Sequence, residues 1–265
     1  MRLLPAEILK LYDAEFDRFK SSDYDSTRYE ETPWGTRALG ETSDAFSNFF
    51  ELKSPTWSPK LIQDEIDYFR NLQREFIWKV RSDRDPAGLR KALIENGFLL
   101  HESGTLVVFD LSGGLPRAHE SSTDLFVREV GVEAIPAMMK VQAEVWKDHF
   151  DNATFGKLLA ERKSANPNDL RLFATYFRET MIACAWMKTT NESQFVHLNG
   201  GTTLPDFRKR GAYSLLVSAR ASLARDLGKR FLMIEAGPMS KPIAEKSGFI
   251  AVCDYWEFSR RCDAK

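Results

Sequence analysis

The sequence predicts an α/β (α+β) fold, with a mixed, mostly antiparallel central sheet flanked by helices, in two domains. Segments with strand composition alternate with segments of helical periodicity, and a similar order of elements occurs twice along the chain. The chain has 265 residues, of which 43% are hydrophobic and 28% are charged. This length and balance are typical of one large globular domain or two small ones.

Residues 112–123 predict the break between the two domains. Their sequence, SGGLPRAHESST, is small and polar, contains a Gly-Gly pair and a proline, and lacks apolar periodicity. We therefore expect a first domain over residues 1–111, a linker over 112–123 and a second domain over 124–265.

The second domain shows the clearer alternation of elements. Strands are predicted at Asp124–Val130, Leu170–Phe177, Met181–Lys188, Gln194–Asn199, Phe231–Glu235 and Ile250–Phe258. Helices are predicted at 133–147, directly after Gly211 and at Lys241–Lys246. In the helix after Gly211, one apolar stripe is formed by Leu216, Ala219, Leu223 and Leu227, and Gly228 ends the helix.

The first domain ends in a similar order of elements. A helix, a strand, a helix and a strand are predicted at Leu61–Leu72, Glu75–Val80, Pro86–Glu95 and Thr105–Phe109. The sequence ENGF at 95–98 matches KSGF at 246–249. The two segments are either two copies of one unit or a coincidence of two common α/β arrangements. Ser58 and Pro59 form a good helix start, but no glycine there lets a ligand approach the backbone closely, so this half is structural or forms one wall of a binding site.

The segment with the strongest chemical signal is LPDFRKRGAY at 204–213, between a strand and a helix. A helix start offers unpaired backbone N–H groups and a partial positive charge, which suit a pyrophosphate. Gly211 lets the backbone approach closely, and Arg208, Lys209 and Arg210 add positive charge. The alternative is a basic turn on a solvated helix start. The segment is neither a GxGxxG motif nor a Walker loop, which disfavours NAD and ATP.

Residues 124–260 resemble the GCN5-related N-acetyltransferases (GNATs). The family's loop pattern, Arg/Gln-x-x-Gly-x-Gly/Ala, is similar to 208–213, and SKPIAEKSGF at 240–249 resembles its closing motif. The resemblance implies a tandem arrangement whose N-terminal copy is degenerate. It also implies acetyl-CoA or another acyl-CoA as co-substrate, and direct attack by an amine in a ternary complex.

The resemblance assigns the cofactor-binding residues. Backbone groups near Thr203 and Leu204 would hold the pantetheine arm, and an N–H there would polarise the thioester carbonyl. The pyrophosphate would be bound by Arg208, Lys209, Arg210, Gly211, Ala212, Tyr213 and Ser214. Ser240 would either bind the pantetheine or cap the helix that follows it.

Two positions depart from the family pattern. Tyr213 stands where the family has a third small residue, and it is a crowded choice beside a pyrophosphate. Ala244 stands where many members have a tyrosine that protonates the CoA thiolate. Water can supply that proton instead.

The resemblance also points to a general base. Histone-modifying relatives carry a glutamate eleven residues before the loop motif, and that position here is His197. A histidine with a pKa near 6.5 suits a base at neutral pH. The alternative is a half-buried strand histidine with an ordinary partner. Asn199, on the same strand face, would orient a water molecule, and Glu235 is a weaker candidate base.

Composition limits the partners. The net charge of −1 gives no broad footprint for nucleic acid or an anionic membrane, and no apolar run is long enough to span a bilayer. The start of the sequence does not read as a signal peptide, and three cysteines without metal-ligand spacing suit a reducing compartment, so we expect a cytoplasmic protein without a metal site. Cys184 and Cys253 are expected to be buried.

Three functions compete at this point. The first is an N-acyltransferase that acts on a small-molecule amine or a peptide. The second is a non-catalytic acyl-CoA-binding regulatory module, which Ala244 and Tyr213 favour. The third is a scaffold in which both halves have lost their ligand. The acceptor, the acyl chain length and the oligomeric state do not follow from the sequence.

Overall fold

The structure is a computed structural model, and it describes residues 3–19, 27–117, 124–146, 152–190 and 192–261. It divides into two compact units. The N-terminal unit contains Leu3–Leu106, Ala236–Pro238 and Ala251–Lys265, and the C-terminal unit contains Val107–Glu235 and Met239–Ile250. The units are therefore not two consecutive stretches, as a single break at 112–123 would make them. Of that expected linker, residues 118–123 lie outside the described residues.

The elements run as follows in chain order. The first part contains α1 (Pro5–Phe19), β1 (Arg28–Glu31), β2 (Gly35–Leu39), β3 (Asn48–Leu52), α2 (Pro59–Asn71), β4 (Phe76–Arg81), α3 (Leu89–Glu95) and β5 (Leu99–Asp110). The second part contains β6 (Leu125–Val130), α4 (Ile135–Trp146), α5 (Asn152–Ala165), β7 (Leu170–Phe177), β8 (Thr180–Lys188), β9 (Phe195–Thr203), α6 (Ala212–Asp226), β10 (Phe231–Ala236), α7 (Lys241–Lys246) and β11 (Ile250–Arg260).

In the N-terminal unit, the strand order is β1-β2-β3-β4-β11. The β3–β4 pair is parallel, and the other pairs are antiparallel. The core of this unit is rich in aromatic rings; Phe69 stacks on Phe76 with ring centroids 4.1 Å apart. Such rings bury a large apolar area each, which stabilises a small unit.

In the C-terminal unit, the strand order is β10-β9-β8-β7-β6. The β10–β9 pair is parallel, and the other pairs are antiparallel. Helices α4 and α5 pack against Leu172 and Cys184. Helix α6 lies on the other face of the sheet, because Thr175, which points away from Leu172 by strand alternation, donates a hydrogen bond to the Ala212 carbonyl (3.3 Å). The predicted mixed, mostly antiparallel sheet flanked by helices is confirmed.

Most predicted elements of the C-terminal unit are present, with small shifts at their ends. Strand β9 is longer than predicted: it continues through Gly200 and Gly201 to Thr203 instead of ending at Asn199. The helix predicted at Pro86–Glu95 begins only at Leu89, because Gly88 before it has a left-handed backbone (φ 83°). Cys184 and Cys253 are buried, as expected.

The predicted stripe of α6 is wrong in part. Leu216 is buried, but the buried face continues through Val217, Arg220, Ala221 and Ala224. Leu227 is 43% exposed. Small residues let the helix pack closely on the sheet, so the buried face follows Ala and Arg positions that a count of large apolar residues overlooks.

The two Gly-Phe sequences end their helices with the same hydrogen bonds. Phe98 N–H donates to the Leu93 carbonyl, and Phe249 N–H donates to the Ala244 carbonyl, each at 3.1 Å. The glycines before them, Gly97 and Gly248, have left-handed backbones with φ 81° and 100°. This is the Schellman ending, which requires a residue that tolerates positive φ. In each unit a helix also joins a parallel strand pair, β3–α2–β4 and β9–α6–β10. These shared features support two copies of one unit.

Candidate functional site

Strands β9 and β10 separate part of the way along their length. Their parallel pairing runs from Phe195↔Phe231 to His197↔Met233. Strand β9 continues to Thr203, and β10 continues to Ala236. Strands that diverge leave backbone groups on their facing edges, and an extended ligand can pair with such edges like an added strand.

Strand β9 bulges at its two glycines. On β8, Cys184 pairs with Thr202 and Trp186 pairs with Asn199, so Gly200 and Gly201 together face a single residue. Gly200 has a left-handed backbone (φ 61°), and a Cβ there would lie 2.0 Å from the Trp186 ring. Only glycine fits this position, so the bulge requires Gly200.

The start of α6 offers a set of backbone donors. Gly211, the residue before the helix, has φ 87°, and Lys209 has φ 62°. In the described parts of the chain, no acceptor receives the backbone N–H groups of residues 209–214, and the first helical bond is Leu215 N–H to the Gly211 carbonyl (3.0 Å). Consecutive unpaired N–H groups at a helix start form an anion-binding surface.

Four cationic side chains surround this turn. Arg208 donates to the Thr203 carbonyl (3.3 Å), and Lys209 is exposed. The Arg210 guanidinium lies 5.0 Å from the Phe177 ring centroid, and Arg178 lies 5.2 Å from the same ring. These contacts keep positive charge near the helix start, where it adds to the attraction for an anion.

Tyr213 does not crowd the turn. Its ring lies against Gly201 of β9: Cε2 is 2.6 Å from the place that a Cβ at residue 201 would occupy. Burial raises the pKa of the Tyr213 hydroxyl, and the positive charge of Arg220 partly opposes the increase. Because Gly201 has no side chain, the Tyr213 ring fits against β9 and does not crowd the turn before α6.

Thr203 and Leu204, at the end of β9, differ in what they offer a ligand. The Oγ1 of Thr203 is buried and has no hydrogen-bond partner in the described part of the protein. The Leu204 N–H donates to the Ile182 carbonyl (2.9 Å), so it is already used within the protein. The Leu204 N–H is therefore not available to a ligand.

The family's closing motif lies on α7. Ser240 precedes this helix, and its side chain makes no capping hydrogen bond. Ala244 is buried, at 2% exposure. Its carbonyl accepts the Phe249 N–H (3.1 Å), so this position supports the helix end.

His197 and Asn199 lie on the face of β9 that α4 and α5 cover. They are paired with Lys188 and Trp186, and residues opposite each other in an antiparallel pair point to the same face. Trp186 packs against the cluster of α4 and α5, 5.5 Å from the Phe155 ring. His197 and Asn199 are both half-buried. Phe195 is buried, as expected for a core residue.

Two polar residues on buried helix faces were not predicted as site residues. Gln142 of α4 donates to the Gly200 carbonyl (2.8 Å), and Arg220 of α6 donates to the carbonyls of Trp186 (3.0 Å) and Asn199 (3.3 Å). These carbonyls belong to the bulge or to the residue pair next to it. The signal in the sequence was a polar residue at a position that helical spacing assigns to a buried face.

No set of three His, Cys, Asp or Glu side chains in the described residues is arranged to hold a metal ion. Among the described helices, none is long and apolar enough to cross a bilayer.

No family model and no curated protein matches this sequence. The structure is similar to a GCN5-related N-acetyltransferase from Kribbella flavida, with a TM-score of 0.69 and 15% identity over 98% of this chain and 96% of that chain. A GCN5-related N-acetyltransferase from Sphaerobacter thermophilus gives 0.63 and 10% identity over 99% and 95%. A tandem GNAT protein from the clavulanic acid biosynthesis pathway, without AcCoA, gives 0.59 and 10% identity over 91% and 85%.

The chain therefore has the GNAT fold over nearly its whole length, and the resemblance found in the sequence is confirmed for the fold.

Proposed function

We propose that the chain is an N-acyltransferase that moves an acetyl or other acyl group from acyl-CoA to an amine by direct attack in a ternary complex. The observation that carries the proposal is the separation of β9 from β10 beside a helix start with free donors. The paired stretch ends at His197 and Met233, and the N–H groups of residues 209–214 find no acceptor among the described residues.

The residues present fit acyl-CoA. The N–H groups of 209–214 and the side chains of Arg208, Lys209 and Arg210 suit the pyrophosphate. The orphaned Oγ1 of Thr203 gains a partner when a pantetheine amide lies along β9. Ser240, four residues after the end of β10, is the further candidate for the pantetheine. The co-substrate supplies an acyl group activated as a thioester.

His197 is proposed as the general base. An alkyl amine arrives mostly protonated, because its pKa is near that of lysine, about 10.4. His197 accepts a proton from the amine, directly or through a water that Asn199 orients. The neutral nitrogen then bonds to the acyl carbon and the C–S bond breaks. The nitrogen loses its second proton to water, and water protonates the departing thiolate, since Ala244 supplies no proton.

Acetyl-CoA binding and CoA release test this proposal together. Isothermal titration with acetyl-CoA measures affinity, and a thiol reagent measures CoA released in the presence of amines, amino acids and short peptides. Saturable binding with amine-dependent release supports the proposal. Absence of binding at millimolar acetyl-CoA contradicts it and favours the scaffold.

The second candidate is a non-catalytic acyl-CoA-binding regulatory module. Ala244 favours it, because a buried alanine stands where many family members have the proton donor. This candidate predicts tight binding of acetyl-CoA without release of CoA for any amine. The titration and the release assay therefore separate the two.

The acceptor proposed is a small-molecule amine or a peptide. The near-zero net charge disfavours a nucleic acid or a membrane surface as a partner. A cytoplasmic location, where acyl-CoA is available, is part of the same proposal.

A further inference from the structure

Arg220 of α6 is a charged residue inside the protein without a charged partner. Its side chain is fully buried, at 0% exposure, and none of the ion pairs found in the described residues includes it. Its Nη2 is buried and makes no hydrogen bond within the described chain. A buried charge without a counter-ion costs several kcal/mol, so its presence calls for a compensating role.

Among the described residues, Arg220 makes its hydrogen bonds with backbone carbonyls. Its Nε donates to Leu216 (3.0 Å), which fixes the side chain along its own helix. Its Nη1 donates to Trp186 (3.0 Å) and Asn199 (3.3 Å), the paired residues next to the bulge. The guanidinium therefore lies against the bulge of β9 and ties it to β8.

Gln142 holds the same bulge from the helix on the other face of the sheet. Its Nε2 donates to the Gly200 carbonyl (2.8 Å), and its Oε1 accepts from Thr202 Oγ1 (3.0 Å). Trp146 Nε1 also donates to Thr202 Oγ1 (3.1 Å). The amide is thus fixed in orientation, because exchanging its N and O would place two oxygens against each other at the Gly200 carbonyl.

The two donors act on consecutive peptide units. The Asn199 carbonyl shares its peptide with the Gly200 N–H, and the Gly200 carbonyl shares its peptide with the Gly201 N–H. A donor bound to a carbonyl polarises the whole peptide and strengthens its N–H as a donor. The effect is greater for a charged donor such as Arg220.

We propose that Arg220 and Gln142 are positioning residues for acyl transfer: they fix the bulge of β9 and polarise its peptides, so that the N–H groups of Gly200 and Gly201 stabilise the charge that develops on the thioester oxygen. This inference rests on the proposed function. It also supplies the polarising N–H that Leu204 cannot provide, because Leu204 N–H is bonded to Ile182. Stabilising this charge is the largest single contribution in many acyl-transfer enzymes.

The test compares Arg220→Met, Arg220→Lys and Gln142→Glu with the parent protein. Infrared difference spectra of bound acetyl-CoA, with and without ¹³C at the acyl carbonyl, report the polarisation of that carbonyl and need no acceptor amine. The expected result is a higher carbonyl stretching frequency in Arg220→Met and Gln142→Glu. Arg220→Lys should lie between Arg220→Met and the parent, because one charged donor remains.

Steady-state kinetics supply the second readout. The loss of an oxyanion donor lowers kcat about 100-fold, so we expect Arg220→Met and Gln142→Glu to lower kcat by roughly 10- to 100-fold while KM for acetyl-CoA changes less than about 3-fold. Arg225→Met on the same helix is the matched control, because Arg225 is exposed and its one ion pair in the described part of the chain is with Asp226 (3.7 Å). The kcat of this variant should be unchanged.

The outcomes separate this inference from the proposed function. If the parent protein binds no acetyl-CoA, both fail. If it binds acetyl-CoA, and the folded variants keep both the parent carbonyl frequency and the parent kcat, the inference alone is wrong. If Arg220→Met does not fold, the frequencies of Arg220→Lys and Gln142→Glu decide: parent values in both overturn the inference, and shifts in both support it.

Discussion

The ring of Tyr213 fills the space that a side chain at Gly201 would need, with Cε2 2.6 Å from the position of a Cβ at residue 201. The large residue on α6 and the missing side chain on β9 are therefore complementary. Tyr213 departs from the family pattern of a small residue, and Gly201 is the position at which the structure accommodates that departure.

The first prediction concerns this pair. Gly201→Ala forces the Tyr213 ring away from β9, and overpacking of this kind lowers the free energy of unfolding by about 1–3 kcal/mol. Urea denaturation measures the change. In a Tyr213→Ala background the same glycine substitution should cost little, so a double-variant cycle should give a clear interaction energy between the two positions. Gly113→Ala is the control, because nothing lies within 4 Å of a Cβ there. Equal stability of parent and Gly201→Ala would contradict the packing described.

The second prediction concerns Gly211. Its φ of 87° is unfavourable for other residues, and Gly228, after the end of α6, has a similar φ of 72°. Alanine at either position should lower stability by about 1–2 kcal/mol. Only Gly211→Ala should also weaken acetyl-CoA binding, because it lies among the proposed phosphate-binding N–H groups. Titration calorimetry measures the acetyl-CoA affinity of both variants. Equal affinities in the two would contradict phosphate binding by the turn that contains Gly211.

The third prediction concerns His197. If it is the general base, His197→Ala lowers turnover by about 10²- to 10⁴-fold and leaves acetyl-CoA affinity nearly unchanged. Initial rates of CoA release and calorimetry measure the two quantities. His101→Ala, at an exposed position on β5, should behave like the parent. Unchanged turnover in His197→Ala would assign the base to another residue, with Glu235 the next to replace.

The fourth prediction concerns the buried thiols. Burial raises the pKa of Cys184 from 9.0 to about 12 and that of Cys253 from 9.0 to about 11. Neither thiol should react with iodoacetamide at pH 8 unless the protein is denatured, because the thiolate is the reactive form. Peptide mapping by mass spectrometry checks this, and rapid labelling of either native thiol would contradict it.

The same thiols predict a pH dependence of stability. The unfolded chain releases the Cys184 proton near pH 9.0, while the folded chain holds it to about pH 12. The unfolded state therefore binds fewer protons in this range, and the free energy of unfolding falls as the pH rises through it. Cys184→Ala should make the fall shallower, as measured by urea denaturation between pH 8 and pH 11.

Sequence patterns predicted the elements whose burial follows a simple period. They missed α5, because its buried residues are Gly156, Leu159 and Lys163, which form no apolar stripe. They also missed α1 and the first three strands; β1, with the sequence RYEE, has no buried residue at all. In these segments the strand pairing and the packing around them decide the structure, and a local pattern does not contain that information.

The candidate site also contains a part that the sequence predicted and a part that it did not. The turn at 208–211 was predicted, because its glycine, its cations and the helix after it are adjacent in sequence. The roles of Gln142 and Arg220 were not, because they depend on which carbonyls the bulge of β9 presents to each face of the sheet. Contacts between residues tens of positions apart are set by tertiary structure.

The membership of β11 in the N-terminal unit has a consequence for synthesis on the ribosome. Strand β4 pairs along its whole length with residues 255–260, which are translated long after the rest of that unit. Until they emerge, β4 has one edge without its final partner, and exposed strand edges promote association with other chains. The N-terminal unit can therefore be completed only after residues 255–260 have been synthesised, and the edge of β4 is open to association with other chains in that interval.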